Sequence, residues 1–416
     1  MRWQHKLLAF GGGILAGVLL LWGLYHIPGI QRRVGWRWDA AWTALRMGLH
    51  PVGAVPTPKA SPAPLVLPTQ TPEARTEPPT AAPTPGISPT PIPSPTPLPP
   101  AVTLKPPRWE KQDWNNCGPA TLALYLRWWG WAGDQFAISD VVKPQRGDRN
   151  VNVEELLYFV RTRAGWLNAD FRVGGDLERL KAFLAAGMPI MIEEGMTLEQ
   201  GYWRNDDRWA GHYLLLTGYE DGKGAFIAQD SFYGPNRSIP YAQLAHNWEA
   251  FNHVYLYIYP PPWEAPVQEI LGPDADPDTN RQRALAQAQQ TVETHPNDAF
   301  AWFNLGTNLV YFERYAEAAQ AYDRARQIGL PQRFLRYQFG PFIAYFHSAR
   351  FDDLLALADY ALSITPNSEE AHLWRGWALY RLGDRQGAIE EFRAALEANP
   401  TYQDARYALQ FLGVKP

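Results

Sequence analysis

Residues 112–120 read Gln-Asp-Trp-Asn-Asn-Cys-Gly-Pro-Ala, and they hold Cys117, the single cysteine of a 416-residue chain. A helical pattern starts at once, with Ala120, Leu122, Ala123, Leu124 and Leu126 followed by Trp128 and Trp129. The stretch therefore places a thiol where a loop becomes a helix. The unpaired N–H groups and positive dipole end of a helix N-terminus favour a thiolate. Such a position, helped by a cationic histidine, takes a cysteine pKa from about 8.5 down to roughly 3.5–7.5. Pro119 suits a first helical turn, where its missing N–H costs nothing, and Gly118 is expected to leave room for a substrate backbone. A lone cysteine is also commonly a buried structural thiol. What separates the two readings lies downstream.

Residues 211–221 read Gly-His-Tyr-Leu-Leu-Leu-Thr-Gly-Tyr-Glu-Asp, a histidine opening an apolar strand that ends in a glycine-containing turn. A second strand, residues 224–230, ends in Asp230. Adjacent antiparallel strands would bring His212 and the Asp230 carboxylate within hydrogen-bond reach. A thiol, an imidazole to deprotonate it and a carboxylate to orient the imidazole make up an activated nucleophile. His246 and His253 are rival bases, but neither opens a Gly-His strand followed by a strand ending in an acid, and both are read as structural.

These three motifs, in this order, resemble the C39-like cysteine peptidases, papain-fold relatives of the bacteriocin-processing peptidases. The resemblance covers roughly residues 105–262. It implies Cys117 as nucleophile, His212 as general base and acid, Asp230 as its orienting carboxylate, and Gln112 as an oxyanion-hole donor. Gln112 precedes Cys117 by five residues, one fewer than is common in that family. Gly118 and Gly211 are the expected substrate-binding positions beside the nucleophile and the base. No cofactor and no metal are implied.

A formal charge of −4 leaves no basic footprint for nucleic acid, and one cysteine excludes an intramolecular disulfide and any cysteine-rich metal site. Leu7 to Tyr25 is an uncharged run of about the ~20 residues that span a bilayer as a helix. Trp3, Trp22 and Tyr25 stand near its ends as interfacial aromatics do, and no small-x-small cleavage site follows. Residues 1–27 are thus expected to be a transmembrane anchor. Residues 28–50 are expected to form an amphipathic helix, with Val34, Trp38, Trp42 and Leu45 at helical spacing. From Pro51 to Pro107 the chain carries 20 of its 38 prolines, mixed with Thr, Ser and Ala. Such a stretch reads as an extended linker, reaching on the order of 150 Å at ~3.1 Å per residue. The arginines after the anchor favour a cytoplasmic C-terminus, whereas a long Pro/Thr spacer suits a domain held off a membrane. The spacer decides for a single-pass protein with its folded part outside the cytoplasm.

Within segment 108–262, helices are expected over 152–164 and 176–187 and strands over 188–192 and 253–259. A polar loop from Glu193 to Ala210 is expected to border the cleft, with Trp203, Asp206, Asp207 and Trp209 as substrate readers or as packed indoles on a solvated loop. Residues 275–416 form a repeat. Pro296, Pro331, Pro366 and Pro400 recur every 34–35 residues, the tetratricopeptide (TPR) period. Ala301, Leu305, Gly306, Tyr315, Ala318, Tyr322 and Ala325 fit one unit, and Gly376, Leu379, Ala388, Phe392 and Ala395 another. The unit between is degenerate, with Pro341 at a helical position. Ala284 and Ala288 mark a preceding half unit, and 402–412 a capping helix.

The expected architecture is an α+β, papain-like peptidase domain followed by an all-α TPR solenoid, preceded by a transmembrane helix and a Pro-rich linker. Two functions follow from it. One is a membrane-anchored cysteine peptidase acting on a peptide or protein substrate, with the repeats holding a protein partner. The other is a non-catalytic peptide-binding adaptor. Retention of Cys, His and Asp together favours the first, and amidase or acyl-transfer chemistry would use the same constellation.

Overall fold

The apolar strands assemble into one antiparallel sheet. The computed structural model describes residues 52–59, 97–143 and 151–416, with isolated helical positions between 16 and 49. Its strands are β1 (Ala101–Thr103), β2 (Asn168–Arg172), β3 (Ile190–Thr197), β4 (Trp209–Glu220), β5 (Ala225–Asp230), β6 (Gly234–Pro240) and β7 (Tyr255–Tyr259). Their order is β2-β7-β3-β4-β5-β6, with β1 also paired to β4. Side chains alternate across the sheet. Met191 and Leu215 join the core under helices α1 (Cys117–Trp128), α2 (Gln135–Val142) and α3 (Val153–Arg163). Ile190, Ile192, Leu214 and Leu216 join the opposite core with α4 (Leu177–Ala185) and α5 (Tyr241–Glu249). The helices start where polar side chains satisfy their first N–H groups. Asn152 and Glu155 form a reciprocal capping box on α3, and Asp176 caps α4.

The hairpin of β3 and β4 is longer than the sequence suggests. Glu193 to Thr197 continue β3 instead of opening a loop, pairing Glu193 with Tyr213, Glu194 with His212 and Gly195 with Gly211. Two glutamates read as loop residues, yet both are buried, because their backbone groups are paired and burial shifts their carboxyls toward the neutral form.

After α6 (Glu264–Leu271), the repeat helices are α7 (Pro277–Thr294), α8 (Ala299–Tyr311), α9 (Tyr315–Ile328), α10 (Gly340–His347), α11 (Phe351–Ile364), α12 (Glu369–Arg381), α13 (Arg385–Ala398) and α14 (Gln403–Phe411). The degenerate unit is the informative one. Pro341 lacks an N–H and stands at the start of α10, so the helix is short, and Phe334–Arg336 forms a separate 3-10 turn before it.

That turn packs on the sheet domain. The Trp209 ring stacks on Phe251 at 6.0 Å and lies 5.2 Å from Phe334 and 5.7 Å from Tyr337. Arg333 grips both carboxylate oxygens of Asp206 at 2.5 and 2.6 Å, and its guanidinium lies 4.0 Å over the Trp203 ring. The residues expected to read substrate or pack on a solvated loop, Asp206 and Trp209, instead build an interdomain joint. The two side chains of the ion pair are 2% and 1% exposed, so removing one partner strands a buried charge. Arg333→Met is therefore expected to cost about 3–5 kcal/mol, read as a lower urea midpoint. The Asp206→Asn/Arg333→Met double variant should recover part of the loss; a double variant as unstable as the sum of the singles would refute the pairing.

The anchor expected over residues 1–27 lies largely outside the described residues, among which no helix is long and apolar enough to cross a membrane. The linker expectation is corrected at both ends. Residues 52–59 lie along the repeats. Val55 is buried, Arg326 Nε donates to Pro56 O at 2.8 Å, Tyr360 Oη donates to Gly53 O at 3.2 Å, and Lys59 N donates to Asp353 Oδ1 at 2.9 Å. Just before them, Met47 is buried in the same core, and Arg46 donates to Ile364 O at 3.1 Å. Trp42 and Leu45, two members of the expected amphipathic stripe, are exposed. At the other end, β1 pairs with β4 inside the stretch read as linker. The described ends of the Pro-rich stretch, residues 52–59 and β1, thus lie on the repeats and on the sheet.

Candidate active site

The Cys117 loop is held by one buried amide. Gln135 Oε1 accepts from Asp113 N at 2.6 Å and Asn116 Nδ2 at 2.9 Å, while its Nε2 donates to Lys111 O at 2.8 Å. Asn115 turns with a φ of 50°, and its carbonyl accepts from Lys143 Nζ at 2.8 Å. This clasp delivers Cys117 as the first residue of α1, where the N–H groups have no intrahelical acceptor.

The register of β4 and β5 positions the other two groups. Asp230 lies opposite Leu214, two residues beyond His212, so the imidazole and the carboxylate form a diagonal cross-strand pair. His212 Nε2 and Asp230 Oδ1 are 2.9 Å apart. Asp230 Oδ1 also accepts from the N–H groups of Phe232 at 2.8 Å and Tyr233 at 3.0 Å, and Oδ2 accepts from Arg237 at 3.2 Å. The carboxylate is fixed from four directions. Cys117 and His212 line the same cleft, and each is the other's electrostatic partner.

Electrostatics polarise the trio. Burial pushes the Cys117 thiol up, but the hydrogen bond and charge of His212 and the N–H groups of Tyr213 and Gly118 outweigh it and leave it below its ordinary value. Burial pulls His212 down, and hydrogen bonds and charges from Asp230 and Cys117 lift it to about 10. Burial raises Asp230, yet His212 and the two N–H groups hold it below the usual carboxylate range. All three shifts act in one sense, favouring thiolate, imidazolium and carboxylate. His253, by contrast, is pulled down to about 4, chiefly by burial, and its ring packs 5.2 Å from that of Trp248.

Gln112 lines the cleft beside Cys117. Its Oε1 accepts from Ser231 Oγ at 2.9 Å, and Ser231 Oγ lies 3.4 Å from Thr121 Oγ1 on α1. Anchoring the oxygen end of the amide leaves the Nε2 end as the donor for a substrate. The shorter spacing to Cys117 still delivers Gln112 to the cleft. Gly118 and Gly211 line it too, but aromatic rings crowd both. A Cβ on Gly118 would stand 3.3 Å from the Tyr213 ring, and one on Gly211 would stand 2.8 Å from Phe251 and 3.0 Å from Tyr337. Their smallness serves packing around the dyad more directly than substrate access.

Several residues carried no signal in the sequence. Gln135, Ser231 and Thr121 are single polar residues whose partners lie far along the chain. Glu194, opposite His212 in the ladder, is raised to about 7 by burial, against the charge of His212 and a hydrogen bond from Asn247. Glu193 faces the cleft with its carboxyl raised well above the usual range by burial. The far wall comes from the repeats. Arg333, Arg336 and Tyr337 complete a cleft of about 350 Å3 that also holds Cys117 and His212.

Residues 103–256 match the Peptidase_C39 like family, and residues 274–330 and 369–402 match tetratricopeptide repeats. Among solved structures, a protein described as a C39-like peptidase from Bacillus anthracis is 16% identical, with a TM-score of 0.30, over 38% of this chain and 96% of its own. Xylellain, a cysteine protease from Xylella fastidiosa, is 15% identical, with a TM-score of 0.30, over 39% of this chain and 87% of its own. YrrB, a TPR protein, is 18% identical, with a TM-score of 0.19, over 35% of this chain and 91% of its own. No curated protein matches the chain. The segment built around Cys117 thus matches the Peptidase_C39 like family over residues 103–256, and matches to tetratricopeptide repeats follow it.

Proposed function

We propose that the protein is a cysteine peptidase that hydrolyses peptide bonds through Cys117, His212 and Asp230. The observation that carries this reading is an imidazole held on a carboxylate with four donors, in the cleft that Cys117 lines at the start of α1. In the first step the Cys117 thiolate attacks the scissile carbonyl. The oxyanion takes hydrogen bonds from Gln112 Nε2 and the first N–H groups of α1. His212 gives its Nδ1-side proton to the leaving amine, and the acyl group stays on sulfur as a thioester. His212, now neutral, takes a proton from water, the hydroxide adds to the thioester, and the acid leaves as the thiolate is restored. Asp230 keeps the ring oriented and stabilises the imidazolium without accepting its proton. The repeats serve a protein or peptide partner, a role supported by the extended 52–59 segment already lying along them. The test is cleavage of a peptide library by the full chain, with the Cys117→Ser protein as control. A library untouched by protein whose Cys117 also alkylates like a free thiol would favour the adaptor reading.

The apolar run from Leu7 to Tyr25 supports a further element of the proposal, a single-pass anchor, and the Pro/Thr-rich composition of residues 51–107 supports a folded body outside the cytoplasm. Protease added to intact cells is then expected to cut within residues 60–96. Complete protection, lost only on lysis, would place the body inside.

A further inference from the structure

Arg336 stands on the 3-10 turn of the degenerate repeat and lines the cleft that holds Cys117. It is 9% exposed. Its Nε donates to Thr365 Oγ1 at 3.1 Å, which fixes the side chain without neutralising it. Its neighbour Arg333 is matched by Asp206 and Asp207. Arg336 has no such match: among the described residues its charged neighbour is Arg333, and its other electrostatic partners are Tyr337 and Tyr202. The nearby carboxyl in the cleft, Glu193, is turned toward its neutral form by burial. A desolvated guanidinium without a counter-ion is costly to maintain for stability alone, and its planar fork fits a carboxylate in two parallel hydrogen bonds.

We propose that Arg336 is a substrate-specificity residue that binds a carboxylate of the peptide occupying the cleft, so that the repeat domain supplies one subsite of the site on the sheet domain. The inference rests on the peptidase reading for its ligand class. Two sources offer this chemistry, an Asp or Glu side chain near the scissile bond and the C-terminal carboxylate of the peptide.

The experiment measures binding, so that it stands apart from turnover. Fluorescein-labelled octapeptides are titrated into the full-length Cys117→Ser protein by anisotropy. One set carries a single Glu at each position in turn with an amidated C-terminus, a second carries Gln in its place, and a third is the neutral sequence with a free C-terminus. One carboxylate peptide is expected to bind about 10- to 100-fold more tightly than its neutral twin, the range of a charge-assisted hydrogen-bonded contact. The peptide that gains identifies the source. Adding Arg336→Met should bring that preference to about one, and Arg336→Lys, which keeps the charge but not the fork, should fall between. Circular dichroism checks that the variants are folded. Equal binding of acidic and neutral peptides, no binding of any, or a preference that survives Arg336→Met would overturn the proposal. Failure of the peptidase reading shows separately, as slow alkylation of the wild-type Cys117 at pH 6.

Discussion

Replacing Cys117 by Ser is expected to abolish turnover while the protein stays folded. The hydroxyl nearly matches the thiol in size, and the positions around it are set by the Gln135 clasp and the α1 start, neither of which uses sulfur. What is lost is the nucleophile itself. A serine hydroxyl beside an imidazolium is not ionised, whereas the thiol is held below its ordinary value by His212. Removing the nucleophile of a catalytic triad costs on the order of 10⁴-fold or more in kcat. The check is kcat/KM on the best peptide of the library, with unfolding midpoints compared between the two proteins. Retention of more than a tenth of the wild-type rate would assign the chemistry to another group.

The second large effect is on the reactivity of the thiol. With His212 lifted to about 10 and Cys117 lowered, thiolate and imidazolium favour each other. Iodoacetamide should then label Cys117 readily at pH 6, where a free thiol near 8.5 is under about 1% ionised. His212→Ala should move the inflection of the pH–rate profile up toward 8.5, because burial is then opposed only by the N–H groups of Tyr213 and Gly118. Asp230→Ala should shift it partly, since the carboxylate acts through the imidazole, and His246→Ala should leave it in place. The same values fix the pH dependence of stability. His212 has a raised value, so its contribution is full below about 6.5 and lost as pH rises through about 10. Cys117 and Asp230 have lowered values, so theirs are present above their ordinary ranges and lost as pH falls through the lowered ones. A wild-type profile with one inflection near 8.5, indifferent to His212→Ala, would make Cys117 a structural thiol.

Much of this was legible in the residues because it is local. The cysteine before a helical run, the histidine on an apolar strand and the acid ending the next strand each declare themselves within a few residues. Antiparallel neighbours then bring His212 and Asp230 together through a register that pairs Leu214 with Asp230. The repeats were legible for the same reason, since a 34–35-residue period is written in the spacing of Pro296, Pro331, Pro366 and Pro400.

Tertiary structure decided what depends on residues far apart in the chain. Composition marked Pro51 to Pro107 as a spacer, but hydrogen bonds from Arg326 and Tyr360 bind one end to the repeats, and β1 binds the other to the sheet. Glu193 and Glu194 read as solvated because charge normally keeps such residues in water. Strand pairing satisfied their backbone, and burial displaced their protonation. Asp206 and Trp209 became an interdomain joint because Arg333 and Phe334, more than a hundred residues on, meet them. Arg336 reaches the cleft from the 3-10 turn that stands apart from the helix with Pro341 at its start. Spacing specified the trio of Cys117, His212 and Asp230; the solenoid's docking, which no local pattern encodes, specified the cleft around it.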